Sequence, residues 1–132
     1  MTSDPVHFCR LRSLYYGHRT IKDHFSDGSP LEDLAFEIVA GDVETEDMDP
    51  LVVQKIDGKR FVIDGNRRLC VFLTLKDWGY DVGRVPVVYT RRSEDRVLVE
   101  EDEGSTVRIR GRGSNEVERE IRRSARIAQR RT

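Results

Sequence analysis

Apolar positions along the chain fall into two rhythms, one of period two and one of period three to four, and the change from one to the other marks out the elements. From Val6 to Leu14 apolar Val6, Phe8, Leu11 and Leu14 are separated by polar residues such as His7 and Arg10, which predicts a strand. Thr20 is placed to cap a short helix running through Phe25, and Asp27-Gly28 is a turn signal. Ser29 as N-cap, Pro30 at the first helical position and Glu32 two residues later form a capping box. Leu31, Leu34, Ala35 and Ile38 then share one face, and Gly41 can close that helix in the left-handed conformation. After the acidic loop 42–49, the β-branched run from Leu51 to Ile56, the Asp57-Gly58 pair and the run from Lys59 to Ile63 predict a hairpin. Leu69, Phe72 and Leu73 return to helical spacing, with Gly79 as a stop. Val85 to Tyr89 reads as a strand, with Pro86 pointing to an edge or a strand start. Thr106 to Arg110 alternates like a strand, Gly111-Arg112-Gly113 breaks it, and Val117, Ile121, Ala125 and Ala128 form a narrow apolar stripe on an Arg-rich helix. The expected class is α+β: a small mixed sheet with a hairpin leading into a helix.

Composition changes this picture in one respect. The 132 residues suit one domain, but charged residues make up 36% of them, more than the usual quarter. The excess has a direction. Residues 1–90 carry 11 Lys+Arg and 15 Asp+Glu, a balance of −4, whereas residues 91–132 carry 12 Arg, no Lys and 9 acids, a balance of +3. The expected organisation is a domain over residues 1–90 and a charged extension over residues 91–132, with a strand and an Arg-rich C-terminal helix. Cys9 and Cys70 stand in no CxxC or CxxH pair, so no zinc site is suggested, and Cys70 among apolar helix residues reads as a reduced thiol. No basic n-region with an apolar h-region opens the chain, and no run approaches 18 apolar residues. The expectation is an intracellular protein, cytoplasmic or nuclear, without a membrane partner.

The candidate chemistry sits where the hairpin meets the helix, at Asp64-Gly65-Asn66-Arg67-Arg68. Gly65 allows a sharp turn and a close backbone approach. The first amides of the following helix lack intrahelical partners, and with the helix dipole they favour a phosphate. Arg67 and Arg68 add forked donors. Neighbouring helix positions are about 100° apart, so Arg67 is expected at the ligand and Arg68 in a structural pair. Asp64 is placed to orient an arginine, cap the helix or help bind a cation. The same residues also read as plain turn and capping chemistry, with both arginines solvated.

Three segments, Pro50-Leu51-Val52-Val53, Phe61 to Leu69 and Val85-Pro86-Val87-Val88, resemble in order and spacing the ParB/sulfiredoxin superfamily. Arg19 to Leu31 is similar to a ParB-like subgroup of it, so the likeness covers about residues 6–90. The resemblance implies a ParB/sulfiredoxin-like fold and a phosphate site at Gly65, Asn66, Arg67 and Arg68. Asn66 stands where sulfiredoxins carry their cysteine, which argues against sulfinyl reduction. Asn66 and Cys70 also depart from the CTP-binding ParB pattern, which argues against a CTP-switched DNA clamp. Other relatives are nucleases, kinases of small molecules or toxin domains. By position in the resemblance, His18, Arg19 and Thr20, and also Asp23 and His24, are further candidates around the elbow.

Three functional readings follow. The first is a nucleotide- or phosphate-binding domain acting on nucleic acid. The second is a nuclease or phosphotransferase with Asp64 as the catalytic residue, for which Mg2+ accompanying a nucleotide is the cofactor to consider. The third is a non-catalytic module that recruits a partner through its tail. Residues 105–132 hold 9 Arg against 3 acids, a pattern that attracts nucleic acid phosphates or simply remains solvated and paired.

Overall fold

The computed structural model describes residues 5–90 and 104–131. The acidic run expected at 94–103 lies outside them. Seven strands and three helices are present among the described residues: β1 (His7–Cys9), β2 (Leu14–Tyr16), β3 (Thr20–Lys22), α1 (Leu31–Ala40), β4 (Leu51–Ile56), β5 (Lys59–Asp64), α2 (Asn66–Trp78), β6 (Val85–Tyr89), β7 (Arg108–Arg110) and α3 (Ser114–Gln129). The architecture is α+β, as expected, with a mixed sheet and three helices.

The hairpin forms as its sequence requires. Asp57 and Gly58 both take positive φ, 51° and 81°, the twist that matches two flanking strands. Around it the sheet runs β1-β6-β4-β5-β2. β4 is antiparallel to β5 and parallel to β6, while β2 is parallel to β5. Pro86 does not mark an edge. β6 lies between β1 and β4, and its pairing with β4 starts at Val87, one residue past the proline.

Three local expectations give way to longer-range contacts. The strand expected from Val6 to Leu14 is broken by a 3-10 turn over Leu11–Ser13, which carries the chain from one edge strand of the sheet to the other. The short helix expected from Thr20 is the strand β3 instead. Its Ile21 pairs in parallel with Ile109 of β7, and both are buried. The capping box does not form. Ser29 Oγ bonds Asp27 Oδ1 at 2.6 Å, the Glu32 carboxylate is engaged by Arg112, and Pro30 takes the N-cap position without a side-chain cap.

Residues 104–131, expected as an extension, share the core of residues 5–90. Val117, Ile121, Ala125 and Ala128 are completely buried, and α3 packs on α1 and α2. Burying a side chain the size of Val or Ile contributes about 1.5–3 kcal/mol. The same segment covers the β2 edge, where Tyr16 N donates to Gly104 O at 2.8 Å. Arg112 fastens it further: its guanidinium donates to both Glu32 carboxylate oxygens, at 2.6 and 2.9 Å, and to Asp23 Oδ2 at 3.2 Å.

Candidate functional site

The elbow is built around one carbonyl. Val62 O, near the end of β5, accepts Asn66 Nδ2 at 2.8 Å and Gly17 N at 2.9 Å. Asn66 Oδ1 in turn accepts Gly17 N at 3.3 Å. The Asn66 side chain is buried, and its amide ties the start of α2 to the loop that follows β2. Gly17 has no room for a Cβ, which would run into Val62 O. Gly65, at φ 104° and ψ 17°, is the N-cap of α2 and turns the chain from strand to helix. Any side chain there would meet Leu51 and the Arg68 guanidinium.

The two arginines part company, as their helical offset requires. Arg68 turns inward and donates through Nη1 to Asp49 O. Burial lowers the pKa of its guanidinium, with Asp64 and Asp49 opposing the shift. Arg67 reaches across to the segment before α1, donating to His24 O at 2.9 Å and to Ser26 Oγ at 3.4 Å.

Two clefts meet at this point. One, of about 450 Å³, is polar, and among its lining residues are His18, Lys22, His24, Asp64, Arg67 and Arg110. The other, of about 540 Å³, has an apolar wall of Phe25, Leu34 and Met48 and is bordered by acids. Asp64, Gly65 and Arg67 line both. The Asp64 carboxylate is exposed on this shared rim. Thr20 and the half-buried His18 line the polar cleft, whereas Arg19 does not and is exposed. Asp23 is otherwise committed. Its carboxylate bonds His24 Nδ1 at 2.9 Å and the backbone N–H of Arg112 at 3.0 Å, and these contacts hold it far below the usual carboxylate range.

Nothing in the sequence places Lys22 and Arg110 together at the elbow. They are paired residues of β3 and β7, so two cations stand side by side on one face of the ribbon. Both are exposed, and both line the polar cleft. The alternation around Ile109 is visible in the sequence, but its partner strand is not. Like charges directly opposite on paired strands are destabilising. Here they line the cleft that holds Arg67 and the amino end of α2, where Asp64 is the one acidic residue among the described residues.

Cys70 lies in the core, its thiol pushed up to about 11 by burial. Cys9 is half-buried, and the two are not joined. Among the described residues, no three His, Cys, Asp or Glu side chains cluster to hold a metal, and no helix is long and apolar enough to cross a membrane. No protein-family model and no curated protein matches the chain.

Proposed function

We propose that the chain binds a phosphate-bearing ligand, such as a nucleotide, in the polar cleft at the Gly65 elbow, in the manner of a ParB/sulfiredoxin-like domain. The observation that carries this reading is the adjacent pair Lys22 and Arg110 on the cleft wall. With Arg67 they give three cations against the one carboxylate, Asp64, among the described lining residues, beside the start of α2, where the first amides of a helix lack intrahelical partners. A phosphate in the cleft would offset the repulsion between the two paired cations. The neighbouring apolar wall at Phe25, Leu34 and Met48 offers room for an organic body attached to that phosphate.

Melting of the parent and of Lys22→Gln/Arg110→Gln with inorganic phosphate, ATP, ADP, CTP and GTP tests this, with and without Mg2+. Without ligand the double variant should melt no lower than the parent, because the repulsion is gone. A ligand at a hundred times its Kd adds about 2.7 kcal/mol to the parent. That shift should vanish in the variant. An equal shift in both proteins places the ligand elsewhere.

A second reading, a nuclease or phosphotransferase, is favoured by the position of Asp64 on the rim common to both clefts. It expects Asp64→Asn to lose turnover of the bound ligand while keeping the melting shift. Turnover equal to the parent's rejects it.

A further inference from the structure

The arginines of the last thirty residues divide by use. Arg112 is the clamp on Glu32 and Asp23. Arg122 pairs with Glu118 at 3.7 Å, one turn back on α3. Arg131 lies over the Phe36 ring, 5.4 Å from its centre, and ties the end of α3 to α1. Arg108 and Arg110 belong to the ribbon. Arg119, Arg123, Arg126 and Arg130 have none of these duties. All four are exposed, and their side chains take part in no ion pair or hydrogen bond among the described residues.

Their spacing is i, i+4, i+7 and i+11. At 100° per residue they fall within roughly 60° of one another and run for about 16 Å along the axis. The buried stripe Val117, Ile121, Ala125 and Ala128 lies on the opposite side of the same helix. Because that stripe is fixed against α1 and α2, the ridge points away from the core on a rigid support. Glu116 and Glu120 flank it on one side, and Ile127, 38% exposed, is the one large apolar residue beside it.

We infer that this ridge of α3 is a docking surface for the phosphate backbone of a duplex nucleic acid. Charge complementarity selects the partner. Four forked donors at spacings of about 4.5–6 Å suit a polymer of regularly spaced phosphates. The face offers no aromatic side chain, so it has no stacking platform for unpaired bases. Nor does it have the apolar or aromatic centre that a protein interface is built on. The apolar face that would enter a lipid surface is already used inside the fold. Contacts of this kind hold the backbone without reading sequence. The surface is separate from the elbow, and neither proposal needs the other.

The test is fluorescence anisotropy of a labelled 20-base-pair duplex of mixed sequence, titrated with the full chain between 50 and 200 mM KCl. Four phosphate contacts predict a slope of log K against log salt of about −3 to −4, a loss of roughly a hundredfold over that range. The variant Arg119→Gln/Arg123→Gln/Arg126→Gln/Arg130→Gln changes only exposed side chains, and its circular dichroism and melting should match the parent. Its affinity at 50 mM salt should fall at least tenfold and its slope should flatten. The elbow variant Lys22→Gln/Arg110→Gln should keep the parent slope. Parent-like affinity and slope in the four-arginine variant overturn the proposal. So does tighter binding of the parent to phosphatidylserine vesicles or to a poly-glutamate peptide than to the duplex at equal salt.

Discussion

Arg112→Ala is expected to destabilise the protein by about 3 kcal/mol, the range for removing one partner of a largely buried charge cluster. Glu32 and Asp23 expose only 13% and 18% of their side chains. Without the guanidinium, two carboxylates are left facing one another with little water. The change also releases the turn between β7 and α3, because Arg112 Nη2 donates to Asp23 O at 2.9 Å. For a chain of this length the loss corresponds to a fall of about 10 °C in Tm. Arg112→Lys should recover only part of it, since one ammonium cannot reproduce a fork that serves two carboxylates and a carbonyl. The dependence on pH gives a second readout. The Asp23 carboxyl is held well below its ordinary value by His24 and Arg112. A lowered folded pKa contributes stability that is present above the unfolded pKa, about 4, and is lost as pH falls toward the folded value. Parent stability should therefore decline from about pH 4 downward, and the Arg112→Ala curve should be flatter there. The Arg112 pKa is raised by Glu32 first and then by Asp23, so its contribution is present below the ordinary arginine value for as long as those carboxylates stay ionised. Urea denaturation at pH 7 and across pH 2–5 measures both effects. An Arg112→Ala protein as stable as the parent would show that α3 docks through its apolar stripe alone.

That clamp explains why the extension looked separable in the sequence. Asp23 and Arg112 are 89 positions apart, and nothing local announces their meeting. What was legible was what adjacent residues decide. The Asp57-Gly58 hairpin, the passage from strand through Gly65 into helix, and the ends of α1 and α2 at Gly41 and Gly79 all depend on backbone preferences within a few residues. The failures share one cause. Thr20-Ile21-Lys22 has the β-branched centre of a strand, but its partner is the distant β7, so the local pattern alone favours a capped helix. Ser29 and Glu32 have the spacing of a capping box, but Asp27 and Arg112 draw both away. In the candidate site, the divergence of Arg67 and Arg68 follows from helical geometry and could be stated in advance. The Lys22–Arg110 pair could not, because it exists only once β3 and β7 are aligned. A strand of three residues carries too little pattern to fix its partner or its register.

Gly65→Ala should cost about 3 kcal/mol and abolish phosphate binding at the elbow. Two penalties add. A φ of 104° is strained for any residue with a Cβ, by about 1–3 kcal/mol. The added methyl also runs into Leu51, which is buried without slack in the core, and comes within 2.8 Å of Arg68 Nη2. Gly58→Ala separates the two terms. Gly58 has φ 81° in the hairpin, and a Cβ there meets nothing within 4 Å. It should therefore show the conformational penalty alone, about 1 kcal/mol, with ligand shifts intact. If the two variants lose equal stability, the close approach at Gly65 contributes nothing. The elbow is then shaped by φ alone. If Gly65→Ala loses more stability and the melting shift with it, the contact between Gly65, Leu51 and Arg68 holds the strand end and the first turn of α2 in the geometry that opens the cleft. The phosphate site would then depend on the core directly beneath it.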